Sequence, residues 1–142
     1  MSDVFGELRS LLQRRPEPGL WYELQAFFDA TRGHAARREH LVYAHSHTST
    51  WPARWCALEP DHLATELAQA LFLDAHHEAL AEMWLCDPEL TDIRLLSLGD
   101  IRWTHAHQTW LEGAAFLPAL RRVEALGTTF EGGVDARLWS AL

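Results

Sequence analysis

The sequence predicts an α/β protein in which a helical N-terminal cap is followed by two or three short strand–helix units. Three observations lead there. Apolar runs suited to buried parallel strands recur at Ala70-Leu71-Phe72-Leu73, at Leu96-Ser97-Leu98 and, more faintly, at Leu126, with intervals of 25 and 30 residues. The second and third approaches share one pattern, since Pro118, Leu120, Val123 and Leu126 stand 30 residues after Pro88, Leu90, Ile93 and Leu96. A repeat of this length implies units that bury their apolar faces by stacking on one another. Residues 1–60 lack the repeat and show helical spacing instead. The competing reading is an all-α bundle in which residues 93–98 continue a helix stopped by Gly99, because period alone does not assign a short apolar run.

The cap is read as three helices and a fourth short one. Ser2 or Asp3 can cap a first helix with the stripe Val4, Phe5, Leu8, Leu11 and Leu12, closed by Arg14-Arg15, Pro16 and Pro18-Gly19. A second helix carries Leu20, Trp21, Leu24, Phe27 and Phe28 up to Gly33. Residues 34–47 form a weaker third, with Ala35, Leu41, Val42, Ala44 and His45 inward. Pro52 suits the first turn of a helix that turns Trp51, Trp55 and Leu58 inward and ends before Pro60. Asp61 then caps a helix bearing Leu63 and Leu67. Between the strand-like runs, Leu80, Met83 and Trp84 mark one helix, and Trp110, Leu111, Ala114 and Ala115 another. Gly132-Gly133 precedes a last short helix with Val134, Leu138 and Trp139. One domain results, with a cap over residues 1–60 and repeat-like units over residues 61–142.

At 142 residues, 48% hydrophobic and with seven tryptophans, the chain can bury a sizeable core. No apolar run approaches the roughly 20 residues that span a bilayer, and the start of the chain reads as amphipathic helix rather than signal peptide. The expectation is a cytoplasmic protein with no membrane association. Cys56 and Cys86 fit that compartment as buried thiols, because two cysteines without CxxC spacing make no disulfide framework. Every basic residue is arginine. The net charge of −8 lies wholly within residues 51–100, where Arg54 and Arg94 face ten acidic residues. Such a surface repels phosphate backbones and attracts basic proteins, so the expected partner is a basic protein and not nucleic acid.

The spacing of Leu90, Ile93, Leu96 and Leu98, its echo at Leu120, Val123 and Leu126, and the intervening helices resemble leucine-rich repeats. The long unit with a full helix is similar to the ribonuclease-inhibitor type in its bacterial form. The likeness covers about residues 63–131, and Ile101 stands where that family carries a polar Asn or Cys after the strand. The resemblance implies a protein-binding scaffold with strands lining an open face. Alternation would then place Ala70, Phe72 and Asp74, Leu95, Ser97 and Gly99, and Ala125, Gly127 and Thr129 on that face.

Nine histidines include three close pairs, His45/His47, His76/His77 and His105/His107, and two imidazoles on one face are how a zinc site begins. A site needs further ligands, and the sequence has no HExxH motif or paired Cys/His spacing, so no metal and no cofactor are expected. Cys56 with His62 or His45 is the one nucleophile-and-base pairing to be named. Catalytic residues are therefore not expected, and a histidine-liganded metal-dependent hydrolase is the rival reading. Asp100, Arg102, Trp103, His105, His107 and Trp110 make the preferred contact rim beside Phe72, Asp74 and Ser97, because tryptophan and arginine dominate binding hot spots. The functional expectation is a non-catalytic binding protein, in one version an inhibitor or immunity-type protein that occludes a basic toxin, in another a peptide-docking adaptor.

Overall fold

Asp3 is extended, and its carboxylate accepts from the Gly6 N–H at 2.9 Å, which starts helix α1 (Val4–Leu12) with one orphan donor satisfied. The computed structural model describes residues 3–60 and 65–132. Helix α2 (Gly19–Ala30) follows the proline-rich turn, and α3 (Arg37–Thr48) completes the cap. Leu8, Leu12, Leu20, Trp21, Leu24, Phe28, Ala44 and Trp51 bury one another there. The buried stripe of α3 is His40, Ala44 and Thr48, at strict i, i+4 spacing, while Val42 is 69% exposed. The expected inward face of Val42 and His45 is thus corrected. Two of the three buried residues are polar, so hydropathy pointed to the wrong side of the helix.

After Pro52 the chain makes only a 3₁₀ turn (Ala53–Trp55), not the expected fourth helix. Pro52 itself is extended at ψ 131°, and the chain runs on to lie beside the first strand. The Leu58 N–H donates to the Ala70 carbonyl at 2.9 Å, and Ala57 pairs with Ala70 in parallel. Residues 56–68 join two cores: Cys56 and Leu67 pack with the helices, and Leu58 and Ala68 with the strands. The expected helix capped by Asp61 reduces to a 3₁₀ turn (Thr65–Leu67) within the described residues; Asp61 and Leu63 lie outside them, as do Val134, Leu138 and Trp139 of the last expected helix.

Three parallel strands stand in chain order, β1 (Ala70–Leu73), β2 (Leu95–Leu98) and β4 (Arg122–Ala125). Residues 95–98 are therefore a central strand, bonded on both sides, which removes the all-α alternative. Helix α4 (Ala81–Leu85), after a 3₁₀ turn, links the first two strands; α5 (His105–Glu112) links the next two. Leu71, Leu73, Leu96 and Leu98 share a core with Ala81, Trp84, Leu85 and Leu111, so both helices cover the same side of the sheet. Met83, expected inward, is 56% exposed, because Ala81, Trp84 and Leu85 fill the buried face of that short helix. Past a bend, β3 (Arg102–Trp103) and β5 (Thr129–Phe130) form a second parallel pair. Among the described residues no helix is long and apolar enough to cross a membrane.

The register corrects the expected third strand. Leu96 pairs with Val123 and Leu98 with Ala125, an interval of 27 residues, not 30. Leu90 and Leu120 are equivalent, both being buried in the same core. But β2 begins five residues after Leu90, whereas β4 begins two after Leu120, since the second unit carries Thr91, Asp92 and Ile93 as an extra three-residue step. The open-face residues of the third strand are Arg122 and Glu124, and the expected set of Ala125, Gly127 and Thr129 is displaced. Gly127 is in the turn after the strand at φ +77°, a conformation that favours glycine.

The cap is locked to the sheet by side chains reaching back to the end of α3. Helix C-termini leave carbonyls without partners. Here Gln69 Nε2 donates to the Thr48 carbonyl at 2.6 Å and Arg94 Nη1 to that of Ser49 at 3.1 Å. The Gln69 carbonyl in turn accepts from the Arg94 and Leu95 N–H groups. Replacing Gln69 by leucine strands a buried carbonyl, so urea denaturation should show a loss of about 1–3 kcal/mol with an unchanged slope.

Candidate functional site

Alternation along the strands leaves one side of the sheet free of α4 and α5. Ala70, Leu95 and Arg122 form one register row there, and Phe72, Ser97 and Glu124 the next. Arg54, from the 3₁₀ turn after the cap, lies across the second row. Its guanidinium stands 5.9 Å from the Phe72 ring centroid, and its Nη2 donates to Glu124 Oε1 at 2.6 Å. Arg122 Nε reaches the same oxygen at 3.1 Å. The hydrogen bond from Arg54 is the main reason the Glu124 carboxyl sits below its ordinary range; burial opposes this, and the charges of Arg54 and Arg122 and the Ser97 hydroxyl add to it.

At the C-terminal ends of β1 and β2, a Cβ on Gly99 would come 3.1 Å from the Asp74 Cβ, so glycine lets the two turns approach. Burial pushes the Asp74 carboxyl up, but the His76 N–H at 2.8 Å and the His77 ring hold it below its ordinary range. His77 Nδ1 stands 3.0 Å from the same oxygen, off the hydrogen-bond direction.

Of the expected contact residues, Phe72 and Ser97 are in one row, Asp74 is at its edge, and Asp100 and Arg102 are exposed past the bend. Trp103 and His107 are not a rim. Trp103 is fully buried and its Nε1 donates to Gln108 Oε1 at 2.9 Å. His107 is buried against it, with ring centroids 5.1 Å apart, and Trp110 meets the other edge of His107 at 5.3 Å. The physical reason is a capping box. Thr104 caps α5, and His107 at the third helical position accepts the Thr104 N–H through Nδ1 at 2.9 Å, the place usually taken by Glu or Gln. His105 is exposed and its Nε2 faces the Gly132 carbonyl at 2.9 Å. Residues two apart on a helix do not face each other, so His105 and His107 do not converge on one point.

The other histidine pairs are equally engaged. His45 Nε2 contacts Asp92 Oδ2 at 3.1 Å, and the His47 ring packs on Tyr43. Among the described residues no three His, Cys, Asp or Glu side chains are grouped to hold a metal ion. Cys56 is fully buried, and burial, with the charge of Asp92 adding to it, pushes its thiol up to about 12. A protonated, enclosed thiol is a poor nucleophile, which removes the Cys56 pairing with His45; His62 lies outside the described residues. Cys86, expected to be buried, is exposed on the outer side of α4 because Trp84 and Leu85 take the inward positions. A disulfide-exchange reagent should therefore titrate one thiol quickly in the native state, and Cys86→Ser should abolish that fast phase; a fast phase surviving the substitution would place Cys56 at the surface.

No protein-family model, curated protein or solved structure matches the chain. The site therefore has to be read from its own geometry. Two of its residues escaped the sequence reading. Arg54 looked like one of two arginines in an acidic third, and Glu124 fell off the face because a 30-residue interval puts Gly127 there. The alternation of Arg122, Val123, Glu124 and Ala125, offset by 27 from the central strand, is the signal that would have found Glu124.

The acidic third does not form a single patch. Glu66 lies 3.8 Å from Arg37, and Asp92 is paired with Arg94 as well as His45. Glu78 and Glu82 are exposed on the side of α4, away from the strand row. Asp74 and Asp100 are the two that flank the open side of the sheet.

Proposed function

We propose that the protein is a non-catalytic binding module, built as a helical cap on two or three degenerate leucine-rich-repeat-like units, that docks a basic protein partner as an inhibitor or immunity-type protein does. The observation that carries the reading is the side of the parallel sheet outside the strand core, where Phe72, Ser97 and Glu124 share one row beside Asp74. An aromatic ring next to carboxylates on a rigid sheet suits a cationic hot-spot residue, with charge complementarity setting specificity and association rate. Strands in chain order, with α4 and α5 on one side, support the repeat-like description.

The test is co-purification of the untagged protein from its native source, followed by binding of the recovered partner at low and high salt. A basic partner is expected, with binding that weakens as salt rises and falls at least about tenfold on Glu124→Lys. An acidic partner, or affinity indifferent to both salt and Glu124, would sink the reading.

A further inference from the structure

We propose that the row Phe72, Ser97 and Glu124 is a guanidinium site that the chain's own Arg54 fills in the free protein and that an arginine side chain of a basic partner takes over on docking. The proposal rests on the protein-binding reading and names the chemistry it uses. The row supplies the three things a guanidinium needs: an aromatic face, here 5.9 Å away, a carboxylate oxygen at 2.6 Å, and a hydroxyl beside that carboxylate. The parallel register makes these groups neighbours on strands about 4.8 Å apart, so one planar cation can touch all of them.

The present occupant is held loosely at its root. Arg54 comes from a three-residue turn rather than from a helix or strand, and its side chain is 55% exposed. Solvent-exposed ion pairs are weak tethers, and the side chain that leaves regains its rotamer freedom. The receiving carboxylate is the opposite: Glu124 is anchored in the sheet, and its side chain is 13% exposed. Arg122, on the same carboxylate oxygen, limits how far that charge is left bare when Arg54 departs. Asp74 at the edge of the row and exposed Asp100 past the bend are the negative groups that would draw a second cation toward it. Exchange of one arginine for another keeps the carboxylate paired throughout, so docking avoids leaving a half-buried charge without a counterion. A partner that presents lysine gains less, because a point charge lacks the planar fork and the stacking face.

The experiment uses Arg54→Ala, with N-acetyl-arginine N-methylamide as the probe and the lysine analogue as its control, followed by amide chemical shifts of Phe72, Ser97 and Glu124. Saturable arginine binding at this row is expected in Arg54→Ala, about tenfold weaker in the unmodified protein, where Arg54 competes. It should be lost in Arg54→Ala/Glu124→Gln and weaker for the lysine analogue. Arg54→Gln serves the same purpose if the alanine variant does not fold. A folded variant with no saturable shift at Ser97, or one that binds both analogues equally, or one indifferent to Glu124, would overturn the proposal. Its failure can be told apart from that of the broader reading. A basic partner that still binds after Glu124→Gln refutes the arginine site alone, whereas arginine binding without any basic protein partner leaves this site standing and removes the proposed function.

Discussion

Replacing Trp103 by alanine is expected to lower the free energy of unfolding by about 3–5 kcal/mol, the cost usual for deleting a buried aromatic ring. Trp103 is fully buried, stacks on His107, and fills the join between the two parallel ladders. Its loss also leaves the Gln108 amide oxygen without the indole donor. The neighbouring exposed residues Asp100 and Arg102 serve as the internal comparison, since surface substitutions away from special features stay within about 0.5 kcal/mol. Urea denaturation of the three variants decides the matter. If Trp103→Ala is as stable as Arg102→Ala, the indole is a surface group and the contact rim read from the sequence returns.

The second expected result is a loss of stability in two stages as pH falls. Burial depresses the pKa of His40, and the charge of His34 acts the same way while Glu39 opposes it. Burial likewise depresses His107, with Glu78 opposing. Each histidine therefore binds its proton more readily in the unfolded chain, whose ordinary value is 6.5. Their stabilisation is complete above that value and is lost as pH falls from it toward the folded-state value, by at most about 1.4 kcal/mol per pH unit per group. Asp74 and Glu124 are depressed carboxyls, so their contribution holds above their ordinary values of 3.8 and 4.5 and goes as pH drops below those. For His107 the reason is visible in the bonding: protonation of Nδ1 would destroy the acceptor for the Thr104 N–H. His107→Gln keeps an acceptor at the third helical position and cannot titrate, so it should flatten part of the first stage while leaving the second unchanged. Thermal melts across the pH range would contradict this if the variant and the parent lost stability in parallel between neutrality and pH 5.

How much of this could be read in the chain depends on what each residue does with its polar atoms. The first helix was legible because Asp3 is an ordinary N-cap and its stripe is apolar. β1 and β2 were legible as apolar runs between turn signals. β4 was not, since Arg122 and Glu124 occupy its open side and three residues are absent before it. The third helix misled for a related reason, its inward face being His40 and Thr48. His107 looked like half of a metal pair because the letters Thr-His-Ala-His do not say which nitrogen accepts a backbone proton. Trp103 and Trp110 carry equal weight in composition, but burial separates them, Trp103 being wholly enclosed and Trp110 half-buried. The clamp from Arg54 to Glu124 spans 70 residues of chain, and nothing local announces it.

The equal interval in the two ladders has a consequence for how such a chain can grow. Leu95 to Arg122 and Arg102 to Thr129 are the same 27-residue step, so both sheets advance together by a single translation. A duplicated stretch of that length, spliced in at residue 122, would continue both ladders without changing the handedness or spacing of what precedes it. The architecture is therefore modular in the practical sense: its reach can be extended by whole cassettes, each adding one more strand position to the face that carries recognition.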